Sequence, residues 1–117
     1  MRAIKTLLLT SIAILLLVGC QDNPERHFEL GNWYYEKGLY DDAILEYRDV
    51  VRMMSSHPAS LPREELNILA KAHYNLAVSY VQKEWYKEAR REAETAFSLW
   101  PSDDNRALIV KIQERQQ

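Results

Sequence analysis

Hydrophobic positions fall into two regimes along the chain. From Thr6 to Val18 runs an unbroken apolar stretch, Leu-rich and uncharged, behind a short basic start that holds Arg2 and Lys5. From Pro24 onward apolar residues recur at intervals of three and four with charged residues between them, the period of a helix that buries one face. Punctuation divides this second region. Asn23-Pro24 reads as an N-cap with proline at the first helical position. Gly38 reads as a turn, Pro58 and Pro62 as helix breaks, and Pro101-Ser102 as the end of one helix and the cap of the next. The pattern predicts helices over 24–37, 41–56, 62–83, 86–99 and 103–116, an all-α fold of about five helices stacked antiparallel.

A bilayer-spanning helix needs about 20 apolar residues, so the first stretch suits a signal-peptide core better than a permanent anchor. It ends in Leu17-Val18-Gly19-Cys20, and that tetrapeptide resembles the lipobox of bacterial lipoproteins. The resemblance implies a signal peptide over 1–19, cleavage before Cys20, and acylation of that cysteine, with 20–23 as the lipidated residue and a short tether. Cysteine suits the role because its thiolate is the nucleophile that forms a thioether. Two or three acyl chains then hold a protein to a membrane where one chain does not. The alternatives are a plain secretory signal with an incidental cysteine, or an uncleaved anchor. In the enterobacterial sorting rule an Asp directly after the cysteine retains the protein in the inner membrane. Here Gln21 follows and Asp22 comes one residue later, so the resemblance implies the bacterial cell envelope, at the outer membrane facing the periplasm.

The helical region contains an internal repeat. Leu30-Gly31, Tyr34, Tyr40 and Ala43 reappear as Leu76-Ala77, Tyr80, Tyr86 and Ala89, with His27 and His73 three residues before the leucines, all at an offset of 46. This register resembles the tetratricopeptide repeat, a helix-turn-helix unit of 34 residues. The resemblance implies a short solenoid over 24–117, after the cleaved signal peptide. It comprises one repeat at 24–57, a connector at 58–69, a second repeat at 70–103 and a capping helix at 103–116. Gly31, Ala77, Ala43 and Ala89 are the small residues that let paired helices approach. The sequence departs from the family in four places: His at 27 and 73 in place of Trp, Glu84 in place of the turn glycine, Ser55 in place of a terminal proline, and an offset longer than 34.

Charge and chemistry narrow the function. Without Arg2 and Lys5 the remaining chain carries 13 basic and 17 acidic residues; this acidic balance argues against a nucleic-acid partner. Cys20 is the sole cysteine, so no disulfide forms within the chain. Phosphate loops, nucleophile elbows and metalloprotease patterns are absent, so no catalytic residue, cofactor or metal is expected. The paired histidines are read as packing residues, and the acid pairs as complements to helix N-termini.

In tetratricopeptide arrays the first helix of each pair lines a concave groove that takes a partner. Carried onto this chain, the groove positions are Phe28, Asn32 and Tyr35, then Tyr74, Val78 and Val81; the competing assignment is packing against neighbouring helices. The implied function is a non-enzymatic, lipid-anchored adaptor that binds another envelope protein or peptide segment. A pilotin-like assembly factor for a secretin or pilus component, and a self-associating structural lipoprotein, are the alternatives. Trp33, Trp85 and Trp100 lie outside the repeat pattern and are expected to bury against the connector, with lipid headgroups or a partner as the other options.

Overall fold

The computed structural model describes residues 22–117; the expected signal peptide over 1–19, the expected lipidation site Cys20 and Gln21 lie outside them. Among the described residues the chain forms five α-helices: α1 (Pro24–Glu36), α2 (Tyr40–Met54), α3 (Arg63–Gln82), α4 (Tyr86–Leu99) and α5 (Asp103–Arg115), with a 3-10 turn at Pro58–Ser60. Each packs against its sequence neighbour, and α1 also touches α3. The result is a short tetratricopeptide-type solenoid. No helix among the described residues is long and apolar enough to cross a membrane.

The predicted caps explain the boundaries. The Arg26 backbone N–H donates to Asn23 Oδ1 (2.7 Å), which fixes the start of α1 with Pro24 in the position that lacks a hydrogen-bonding duty. The Asn105 N–H likewise donates to Ser102 Oγ (3.2 Å) at the start of α5. Five boundaries move inward from the sequence expectation by one or two residues and one moves outward by one; prolines set two of them. Helix α2 ends at Met54 rather than 56, because the chain must leave the helix before Pro58. Helix α3 begins at Arg63, with Pro62 outside it in extended backbone.

Both helical hairpins turn in the same way. After α1, the Leu39 N–H donates to the Tyr34 carbonyl (2.9 Å) and the Gly38 N–H to that of Tyr35 (3.0 Å). After α3, Trp85 and Glu84 repeat these bonds to Tyr80 (2.9 Å) and Val81 (3.0 Å). This double bond pattern is the Schellman motif, which requires a left-handed residue after the helix. Gly38 supplies it at φ 74°, and Glu84 is held in the same region at φ 60°. The second turn therefore keeps the geometry that its missing glycine would have favoured, at a cost of about 1–2 kcal/mol for a residue with a Cβ.

Burial follows the stripes. On α2 the buried positions are Ala43, Ile44, Tyr47, Val50 and Met54, one helical face. On α4 they are Ala89, Ala93 and Ala96, a thin face that lets α3 lie close. Helix α3 is buried on two sides because it lies between α2 and α4; Leu69, Ala72, Leu76 and Ala77 are at most 2% exposed. Leu108 and Ile112 of α5 join the same core, so the last helix covers the apolar side of the stack. Gly31 is needed for close approach: a Cβ there would stand 2.5 Å from the Tyr47 ring of α2.

Each hairpin also carries a polar clip. His27 Nδ1 lies 2.5 Å from Glu46 Oε2, and His73 Nδ1 lies 2.6 Å from Glu92 Oε2. The four residues share the repeat register, and both pairs are largely buried between the two helices of a hairpin. The histidines thus pack as expected, but each does so through a carboxylate.

Candidate partner-binding groove

The first helices of the two hairpins, α1 and α3, leave a hollow of about 300 Å³ between them. Asn32 and Tyr35 line it from α1, and Tyr74, Asn75 and Val78 from α3, with the Tyr47 side chain of α2 at its base and Glu36 at the rim. Four of the six positions anticipated from sequence therefore meet in one place. Val81 lies one turn further along α3, in a second hollow of about 220 Å³ shared with Leu108, Lys111 and Arg115 of α5. Tyr74 and Val78 line both hollows, so the concavity continues from α1 across α3 to α5. Phe28 is placed differently. It is half-buried against both parts of the core, with its ring 6.0 Å from that of Tyr47, and it does not line these hollows.

The base of the groove is fixed by hydrogen bonds. The Tyr47 hydroxyl donates to Asn32 Oδ1 (2.6 Å), and Asn75 Nδ2 donates to the same oxygen (3.0 Å). One amide oxygen thus joins α1, α2 and α3. Burial pushes the Tyr47 hydroxyl up to about 12, against a smaller opposing pull from the Asn75 amide; this group stays a neutral donor at physiological pH. Tyr35 accepts a hydrogen bond from Gln82 Nε2 (3.3 Å) and stacks edge-on to Tyr40 at 5.3 Å. Its hydroxyl is also raised, chiefly by burial. Tyr47, Asn75 and Glu36 were missed by the sequence reading. Tyr47 belongs to the second helix of its pair, and the family's groove positions all lie on first helices.

Aromatic residues outside the repeat divide. Trp33 and Trp85 are 50% and 46% exposed, which corrects the expected burial. Trp33 caps Tyr34 edge-on and Trp85 stacks on Tyr80, with Lys37 and Lys83 over their rings, so each shields the end of a helix from outside. Trp100 is less exposed and lies under the Arg63 guanidinium at 4.8 Å. Beside it, Asn105 is buried and donates through Nδ2 to the carbonyls of Trp100 (2.7 Å) and Ala96 (3.3 Å), which satisfies the end of α4.

No family model matches the chain. Over 64 residues, 55% of its length, it is 31% identical to protein O-mannosyl-transferase TMTC2 of Mus musculus. Over 62 residues, 53% of its length, it is 29% identical to protein O-mannosyl-transferase tmtc2 of Xenopus laevis. Each alignment takes in 7% of the relative, so the chain spans a small fraction of these proteins, and the mannosyl transfer in their names is theirs. The likeness joins the fold in pointing to a helical-repeat scaffold of the protein-interaction class.

Proposed function

We propose that the protein is a non-enzymatic adaptor whose concave face, made by α1, α3 and α5, holds a segment of another protein. The observation that carries this reading is the shared lining of the two hollows. Tyr74 and Val78 connect them, so one continuous surface of aromatic, aliphatic and amide groups crosses three helices. Such a surface suits an apolar helix or extended segment, with amides and tyrosine hydroxyls left to orient it. In this proposal Tyr35, Tyr74, Val78 and Val81 contact the segment directly. Asn32 acts from beneath through its bonds to Tyr47 and Asn75, and Phe28 steadies α1.

The location belongs to the same proposal. Cys20, acylated after removal of 1–19, tethers the domain at the periplasmic face of the outer membrane, where the captured segment belongs to an envelope protein. The lipobox-like Leu17-Val18-Gly19-Cys20 supports the tether. Two experiments separate the parts. Tyr35→Ala with Tyr74→Ala is expected to abolish partner capture in crosslinked cells while helicity persists; retained capture would remove the groove from the proposal. Cys20→Ala is expected to stop palmitate incorporation and release the protein from membranes, and unchanged attachment would contradict the tether alone.

A further inference from the structure

On the opposite face of the stack, a separate recess of about 370 Å³ opens between α2 and α4. Its floor is Leu76 and Tyr80 of α3, and its walls carry Arg48 and Arg52 from α2 and Arg91 and Glu92 from α4. Two of the nearby carboxylates are already engaged, and the third, Glu88, acts on the Tyr80 hydroxyl without an ion pair to either wall. Glu92 is held by His73 at 2.6 Å, and Asp49 is paired with Arg52 at 3.1 Å. Arg48 and Arg91 make no salt bridge among the described residues. Two guanidiniums without an ion pair of their own therefore face one recess in a chain whose acids outnumber its bases 17 to 15.

The floor adds a polar group able to donate. Tyr80 is 8% exposed as a residue, its hydroxyl makes no hydrogen bond to another described residue, and it is not among the buried unpartnered atoms, so it stays open to the recess. Burial raises its pKa and Glu92 adds to this, while Arg48 and Arg91 pull the other way, which places the hydroxyl within the field of both guanidiniums. Nor does the repeat itself require this arrangement. At the 46-residue offset Arg48 corresponds to Glu94, and Arg91 to Leu45.

We propose that this recess binds a phosphate group, with Arg48 and Arg91 on either side of it and the Tyr80 hydroxyl donating from the floor. Two free positive charges match a dianion, and guanidinium forks present paired donors to tetrahedral oxygens. The phosphate could come from a soluble monoester or from a lipid headgroup, and the test separates these sources. The site is independent of the concave groove.

The experiment is calorimetric titration of the full chain in neutral detergent at constant ionic strength. The probes are inorganic phosphate and glycerophosphoglycerol, the diester headgroup of an anionic lipid. Saturable binding of one equivalent is expected. Arg48→Gln and Arg91→Gln should each weaken it about tenfold, the loss of one charge-assisted hydrogen-bond set. Arg48→Lys, which keeps the charge without the fork, should fall between. Arg106→Gln, on α5 with its guanidinium 5.5 Å over the Phe97 ring, should leave binding unchanged. Tighter binding of inorganic phosphate would assign a soluble source, and tighter binding of the diester a lipid source; either supports the site. Absence of saturable binding with both probes, or equal weakening by Arg106→Gln, would overturn it. The substituted arginines are exposed, so helicity should be retained, and matching circular dichroism spectra check this.

Discussion

Gly31→Ala sets two physical effects against each other. Gly31 lies inside α1, where helix propensity alone favours alanine by about 1 kcal/mol. The packing forbids it. The added Cβ would stand 2.5 and 2.7 Å from two ring carbons of Tyr47, which is itself 1% exposed and cannot swing into solvent. Either α1 moves off α2 or the ring shifts, and overpacking of this kind costs about 1–3 kcal/mol. A shifted ring also loses the 2.6 Å bond from its hydroxyl to Asn32, worth about 1 kcal/mol. The net expectation is a destabilisation of about 1–3 kcal/mol, which lowers the melting temperature by roughly 4–8 °C per kcal/mol in a domain of this size. Thermal unfolding followed by far-ultraviolet circular dichroism reads this directly. Tyr47→Leu should restore part of the loss in the Gly31→Ala background, because it removes the ring that the methyl strikes. A melting temperature equal to or above that of the natural chain in Gly31→Ala would refute the close-approach argument.

Other substitutions probe the turns, the clips and the groove base. Glu84→Gly should stabilise the domain by about 1 kcal/mol, since relief of the left-handed strain exceeds the entropic penalty of glycine; Gly38→Ala should destabilise by a similar amount, and opposite signs in thermal melts check both. His73→Ala strands a largely buried Glu92 and should cost roughly 3 kcal/mol. In a double-mutant cycle with Glu92→Ala the coupling should exceed about 0.5 kcal/mol, and additive losses would show that the pair is incidental. The Tyr47 hydroxyl titrates at about 12 in the folded chain against its ordinary 10. Its contribution is therefore fully present below pH 10 and is lost as pH rises toward 12, on the order of 3 kcal/mol. Urea unfolding across this range should show a flatter alkaline decline in Tyr47→Phe than in the natural chain.

Much of the fold is written in local signals. Asn23, Gly38 and Ser102 each satisfy or redirect backbone at a helix end, and a single residue type suffices to announce them. Ala43 and Ala89, both fully buried, mark where helices pack closely. The predicted span 86–99 coincides with α4, where Trp85 and Trp100 flank a clean alanine stripe. What the sequence hides are relations between distant positions. The reach of Tyr47 through the hairpin to Asn32 depends on Gly31 leaving the ring room, a relation that neither position announces alone. Asn75 and Asn105 look like ordinary polar residues until their backbone or amide partners are in place. The His27–Glu46 and His73–Glu92 pairs did leave a trace, a 19-residue spacing repeated at an offset of 46, which only a search for paired positions would have found. The exposed placement of Trp33 and Trp85 follows from tertiary position at the hairpin ends, which periodicity does not encode.

The concave face across α1, α3 and α5 is the proposed place where another protein is held. Photo-crosslinking in native cells tests this most directly, with a photoreactive residue placed at Tyr74 in the groove or at Leu45, 59% exposed on α2 outside it. A discrete adduct is expected from position 74 and none from position 45. Adducts from Leu45 alone, or equally from both positions, would contradict the proposal.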